Sequence, residues 1–279
     1  MFILVDSGST KADWVIVQSR TEWKLYKTEG INPSTHSELL NLEDHKLLMN
    51  AMQTADNIFF YGAGVVNDMS TSKIKNWLRV AGFTGDISVE EDLMAAARAS
   101  SGNRQGIICI LGTGSNSCVY DGKSIINKIP TLGYIFSDEG GGTHLGKEII
   151  KAFFYNTMPE DEKEIFLQHF KLTKEMLLEK VYRSPGGSKF VASFATFLTV
   201  IEGVWKENLL KKVFREFIEL RILKYKECTS FPIYFVGSIA YLHQNYLNQV
   251  LMEYGLHSSK IIQHPAQNLI EYHLKQPNT

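Results

Sequence analysis

The sequence predicts an α/β protein of two domains, the second repeating the architecture of the first. Three observations carry this. Short apolar runs of strand type alternate with longer helical stretches along the chain. Each half opens on a hairpin whose first turn is rich in glycine and hydroxyl residues, Asp6–Lys11 in one and Gly112–Asn116 in the other. The length, 279 residues, suits two domains at roughly 100–200 residues each. Alternating strands and helices imply layers, and two such units leave a cleft as the expected place for a ligand.

The first half reads as strands Phe2–Val5, Trp14–Gln18 and Lys24–Thr28, then a helix over Glu38–Met52. A short strand, Ile58–Tyr61, closes on Gly62-Ala63-Gly64. Helix Met69–Ala81, strand Ile87–Val89 and the alanine-rich helix Leu93–Ser100 complete it. Polar residues at Ser101–Gln105 mark the boundary, so the domains are expected at 1–105 and 106–279. The second half restarts with strand Gly106–Leu111. Strands Ser117–Tyr120 and Lys123–Ile126 flank the Asp121-Gly122 turn. After helix Glu148–Tyr155, a helical insertion spans about 160–225, broken at Ser184-Pro185-Gly186-Gly187. Strand Ile233–Val236, helix Tyr241–Tyr254, strand Lys260–Gln263 and helix Ala266–Lys275 finish the chain.

Composition excludes several classes. A net charge of −1 supplies no positive field for a nucleic-acid backbone. Phe190–Trp205, the longest apolar-leaning stretch, is too short and too polar to span a bilayer, so no membrane is expected. Asp6 interrupts the first apolar run, against a signal peptide. Cys109, Cys118 and Cys228 are isolated, with no C-x-x-C, which fits a reducing cytoplasm rather than a disulfide, zinc or iron–sulfur scaffold. The eight histidines form no zinc motif.

Asp6–Lys11 is neither a Walker A loop nor a Rossmann fingerprint, because a strand follows it. A tight turn of this kind can present backbone N–H groups to phosphate oxygens, and Asp6 at a strand end can hold a hydrated Mg²⁺. Alone it reads as a plain hairpin turn. Gly112-Thr113-Gly114-Ser115-Asn116, in the equivalent place of the second half, changes that: two such loops suit a nucleotide di- or triphosphate. Asp92 stands where a strand hands over to a helix, as an N-terminal acidic residue favoured by the helix dipole or as a general base; Glu90 and Glu91 compete for the latter role. Asp138-Glu139 precedes three glycines and a helix, which suits close backbone approach to a ligand as well as a solvated loop tip. Gly30-Ile31-Asn32-Pro33 is turn chemistry unless a polar ligand lies near Asn32. Gly237-Ser238 is a common strand-to-helix turn that can also run along a nucleotide.

With these residues assembled, the chain resembles the N-acetylglucosamine kinase and BadF/BadG-type ATPase family of the actin–hexokinase–Hsp70 superfamily. The resemblance covers nearly the whole chain: Asp6–Lys11, Gly112–Asn116, Asp138-Glu139-Gly140-Gly141, Gly237-Ser238, and the insertion around Val181-Tyr182-Arg183 and Ser188–Phe194. It implies a duplicated ribonuclease H-like (actin-like ATPase) fold. It also implies a kinase using ATP and Mg²⁺ to phosphorylate the 6-hydroxyl of an amino sugar, N-acetylglucosamine first, with glucosamine or N-acetylmuramic acid as alternatives. In that pattern Asp6 organises Mg²⁺ through water. Gly8, Ser9, Thr10 and Lys11 line the ATP phosphates with Gly112, Thr113 and Gly114, while Gly237 and Ser238 lie along the nucleotide. Asp92 matches the catalytic aspartate, and Asn32, Asn116 and Asp138 match sugar contacts. Ser7 stands where the family usually has glycine, and Ala63 where related kinases often carry serine. Other readings are an ATPase that activates a partner reductase and a sugar sensor without turnover. A homodimer is an assembly the analogy allows.

Overall fold

The computed structural model describes residues 1–8, 11–34 and 45–275. The chain forms two compact units, Met1–Gly102 with Pro265–Thr279, and Asn103–His264. In the first unit, β1 (Phe2–Ser7), β2 (Lys11–Val17) and β3 (Trp23–Glu29) are followed by α1 (Lys46–Thr54), β4 (Asn57–Gly62), α2 (Asp68–Val80), β5 (Asp86–Glu91) and α3 (Asp92–Ser100). The sheet order is β3-β2-β1-β4-β5. β1 pairs antiparallel with β2 and parallel with β4, which pairs parallel with β5. Ile3, Val5, Trp14, Ile58 and Phe60 fill one side of this sheet with Leu48, Ile74 and Leu78 of α1 and α2. Alternation along β1 sends Leu4 and Asp6 to the opposite side, where α3 packs on β1, β4 and β5.

The second unit begins with β6 (Gly106–Leu111), β7 (Ser115–Tyr120) and β8 (Ile125–Lys128). Helices α4 (Gly133–Phe136), α5 (Gly142–Phe154), α6 (Glu160–His169), α7 (Lys174–Tyr182), α8 (Gly187–Ser193) and α9 (Val204–Leu220) follow. Then come β9 (Ile233–Val236), α10 (Ser238–Leu242), α11 (Gln244–Glu253) and β10 (Ser258–Ile262). Its sheet order, β10-β9-β6-β7-β8, is the first sheet's order read from the other edge. β6 pairs antiparallel with β7 and parallel with β9, as β1 does with β2 and β4. The predicted duplication is therefore one strand order built twice. Phe166, Phe194, Phe197, Phe214 and Phe217 of the insertion belong to the core under this sheet.

One boundary differs from expectation. The last helix, α12 (Ala266–Lys275), groups with the first unit rather than with the second half of the chain, and the units divide after Gly102. The reason is packing: Leu269 and Ile270 are buried, and α12 lies on α3, β1 and β2. Two further differences are local. In place of one helix over 241–254 stand α10 and α11, parted at His243 and ending at Glu253. Of the helix expected over 38–52, residues 38–44 lie outside the described residues, and α1 runs on to Thr54. Among the described residues no helix is long and apolar enough to cross a membrane.

Candidate active site

In the first unit, acidic side chains lie at the end of the sheet where β1 and β5 finish and the antiparallel β2 begins. Antiparallel register sets Asp13 of β2 directly opposite Asp6 of β1, and such pairs share a face of the sheet. Asp6 is partly buried, and burial pushes its carboxyl up to about 7; the charges of Asp92 and Asp13 add to this, and Lys11 opposes it. Asp92 opens α3 and is close enough for its charge to act on Asp6. Oδ1 of Asp13 is buried with no hydrogen-bond partner, while its Oδ2 lies 3.6 Å from Nζ of the exposed Lys11. Asp13 is a residue that sequence reasoning missed. The signal was there: it stands one residue before the apolar run of β2.

Of the competitors of Asp92, Glu90 is engaged elsewhere, pairing with Nη2 of Arg98 at 3.1 Å; Glu91 occupies the N-cap position of α3 without a side-chain cap hydrogen bond. The turn before β2 is closed by the Gly8 amide donating to the Lys11 carbonyl at 3.0 Å. Ser9 and Thr10, expected at the phosphates, lie outside the described residues. Ser7 is fully buried and keeps a negative φ. Its hydroxyl accepts from the Ile31 amide at 2.7 Å and donates to the Ile31 carbonyl at 3.0 Å. Serine here ties β1 to the turn that carries Asn32. That turn is held in place by Asn32 Oδ1, which accepts from the Ser34 amide at 2.9 Å.

In the second unit, the Gly112–Asn116 loop and the Asp138 turn are built on each other. Asp138 has φ 70°, a left-handed backbone that costs a side-chain-bearing residue energy and is tolerated best by Asn and Asp. Its Oδ1 accepts from the Ser115 amide at 3.2 Å, and its Oδ2 from the Thr143 hydroxyl at 3.1 Å. A Cβ at Gly114 would come within 2.6 Å of the same carboxylate. The first amides of α5 complete the joint: Gly142 donates to the Gly112 carbonyl and Thr143 to the Thr113 carbonyl, each at 2.8 Å. The Gly112 amide donates to the Gly114 carbonyl at 3.0 Å, and Thr113 is exposed at the loop tip. Asn116 Oδ1 accepts from the Ser117 amide at 2.9 Å. Ser115 Oγ is buried without a hydrogen-bond partner, a polar atom suited to a ligand that the sequence did not single out.

Gly237 meets this loop from behind. Its φ is 125°, and a Cβ would lie 2.3 Å from the Leu111 carbonyl oxygen and 3.1 Å from the Gly112 nitrogen. Only glycine permits that approach. Gly237 caps α10, and Ser238 begins it, half-buried beside the loop. Cys109 and Cys118 are buried within β6 and β7, and burial holds the Cys109 thiol well above its usual range, so it is a poor source of thiolate.

Two sheets of identical strand order, each carrying its polar turns after the first strand, define the actin-like ATPase fold class. Comparison with known proteins agrees. No family model matches the chain. A solved structure of a proposed N-acetylglucosamine kinase from Porphyromonas gingivalis is 34% identical, with a TM-score of 0.89 and 98% of each chain covered. An N-acetylmuramic acid/N-acetylglucosamine kinase of Clostridium acetobutylicum is 28% identical over 229 residues, 76% of this chain and 75% of that protein. MreB5 of Spiroplasma citri, solved with ADP, has a TM-score of 0.55 at 14% identity, covering 98% of this chain and 94% of that one, a likeness of fold alone. The chain belongs to the N-acetylglucosamine kinase family.

Proposed function

We propose that this chain is an ATP-dependent kinase that transfers the terminal phosphoryl group to the 6-hydroxyl of an amino sugar, N-acetylglucosamine first. The observation that carries the reading is the acidic cluster of the first unit. Asp92, at the start of α3, is coupled by charge to Asp6, whereas Glu90 is held by Arg98.

The cluster fits a divalent cation. Asp6 is held partly protonated near neutrality, and Asp13 keeps a buried oxygen without a hydrogen-bond partner. A cation beside them would relieve both. Among the described residues no three His, Cys, Asp or Glu side chains gather as a cage. Mg²⁺ keeps several waters and takes one or two carboxylates plus substrate phosphate, which two aspartates can supply. Asp6 and Asp13 would hold it, and when bound it supplies positive charge against the phosphate oxygens.

The protein's own groups do the rest. Asp92 accepts the proton of the sugar 6-hydroxyl as the new O–P bond forms, and ADP departs. Gly8, Ser9, Thr10 and Lys11 of one loop, with Gly112, Thr113, Gly114 and Ser115 of the other, would line the phosphates, offering hydroxyls, the Lys11 cation and those amides that the turns do not themselves use, the Gly8, Gly112 and Ser115 amides being spent within them. Gly237 and Ser238 lie along the nucleotide. Asn32, Asn116 and Asp138 orient the sugar. Positioning and electrostatics account for most of such a transfer.

A second acceptor, N-acetylmuramic acid, is favoured by one observation: the Clostridium relative is a kinase for both sugars. A coupled ADP-release assay over N-acetylglucosamine, glucosamine, N-acetylmuramic acid and glucose, with and without Mg²⁺, tests the reading. The expected result is Mg²⁺-dependent ADP release stimulated by N-acetylglucosamine. Sugar-independent ADP release, or tight sugar binding with no ADP formed, would replace the kinase with an ATPase or a sensor.

A further inference from the structure

We infer that Arg221, at the end of α9, is the positioning residue that sets the Asp138 turn and, through it, the second glycine loop. Arg221 is 3% exposed and follows directly on α9. Its guanidinium spends its donors on the residues that flank α4. Nη2 donates to Ser137 Oγ at 2.5 Å and to Glu139 Oε2 at 2.8 Å, and Nε donates to the same Glu139 oxygen at 3.1 Å. Nη1 donates to the Pro130 carbonyl at 2.9 Å and to that of Ile129 at 3.4 Å. Both ends of the 129–139 segment are thus tied to one planar fork, a geometry that lysine cannot supply.

The residue between the two clamped side chains is Asp138. Ser137 and Glu139 are fixed on either side of it, and its left-handed backbone persists where its neighbours over-determine it. Phe217, one turn before Arg221 on the same helix, packs beneath the next residue: a Cβ at Gly140 would lie 2.8 Å from Phe217 Cβ. The end of α9 therefore supports residues 137–140 from below. What is held in place is the Asp138 carboxylate, whose oxygens take the Ser115 amide and the Thr143 hydroxyl. Arg221 touches none of the proposed ligand-contacting residues; it acts through Ser137 and Glu139.

The kinetic consequence rests on the kinase reading above; the structural consequence does not. Arg221→Met alone leaves the half-buried Glu139 carboxylate without its cation, with only the Ser137 hydroxyl at 3.4 Å beside it, and that variant is at risk of misfolding. The deciding variant is Arg221→Met/Glu139→Gln, which removes both charges, with Arg221→Lys as a second that keeps the positive charge without the fork. Amide hydrogen exchange is read at Ser115, whose N–H rests on Asp138, against Ile108 and Phe235 in the neighbouring strands. Ser115 is expected to exchange at least about tenfold faster in both variants while Ile108 and Phe235 keep wild-type rates. In steady-state assays, KM for N-acetylglucosamine is expected to rise about tenfold with kcat changed less than about threefold, as for lost ground-state positioning. Wild-type exchange at Ser115 in a folded variant overturns the inference. A wild-type enzyme that forms no sugar phosphate overturns the kinase reading instead, and the exchange result still decides the role of Arg221.

Discussion

Asp6 is held under opposed demands. Its carboxyl is raised from 3.8 to about 7 by burial first and by Asp92 and Asp13 next. Between those two values the unfolded chain has given up the proton and the folded chain keeps it. Stability of the cation-free protein therefore falls as pH rises through this window, and the penalty is complete above about 7. Asp6→Asn removes it. In buffer without divalent cations, the variant is expected to melt above wild type at pH 8, with a gap of at most on the order of 4 kcal/mol that closes towards pH 4. A gap of equal size at both pH values would show that the carboxyl is not the source. The same variant is expected to lose Mg²⁺-dependent turnover, a trade of stability for function at a charged site. For Asp92→Asn, kcat is expected to fall on the order of 10²–10⁴, while calorimetry finds ATP and sugar still bound. Near-normal kcat would take Asp92 out of the role of base.

Among the elements, α12 shows what periodicity leaves out. Its bounds, Ala266–Lys275, match those read from the sequence, yet its place in the first unit was not legible there. The helix pattern gives a buried face and not the surface that it covers. Here that surface carries a polar network as well as apolar contacts. Arg98 Nη1 donates to the Tyr61 hydroxyl at 2.8 Å, and that hydroxyl lies 2.8 Å from Nε2 of His273, whose ring stacks on Phe59 at 3.9 Å. The Tyr61 oxygen thus accepts from Arg98, and the direction of its bond to a neutral His273 follows the histidine tautomer. Burial first, and the charge of Arg98 next, lower the His273 pKa from 6.5 to about 3. The unfolded chain takes up this proton below about 6.5 and the folded chain does not, so the stabilising contribution is full above 6.5 and is lost as pH falls towards 3. His273→Phe is expected to flatten the decline of thermal stability between pH 6.5 and 4.5. An unchanged slope would place the acid sensitivity elsewhere. The Gly237 turn was legible as a strand-to-helix junction; its contact with Leu111 and Gly112 was not, because it joins residues far apart in the chain. Gly237→Ala is expected to raise KM for ATP at least about tenfold in a folded protein, and an unaltered KM would detach this turn from nucleotide binding.

For the whole molecule, the duplication was the most legible feature. Two hairpins with glycine- and hydroxyl-rich turns predicted two units, and both sheets repeat one strand order. Roles that depend on exchanging partners across a unit were hidden. Asp13 lies just before the strand read from the sequence, Ser115 was legible only as one member of the second loop, and nothing local marks Arg221; each is revealed by what it meets or fails to meet. The Ser7 departure was visible, and its account needed the fold, since the Ile31 backbone that it binds arrives from another strand's end.

The central claim is the transfer of a phosphoryl group to a sugar hydroxyl with Asp92 as proton acceptor. The most direct measurement incubates wild type and Asp92→Asn with MgATP and N-acetylglucosamine and reads the product by ³¹P–¹H correlation. A phosphate on the 6-oxygen is expected in step with ADP from wild type, and almost none from Asp92→Asn. Inorganic phosphate in place of sugar phosphate, or the same product at the same rate from both proteins, would contradict it.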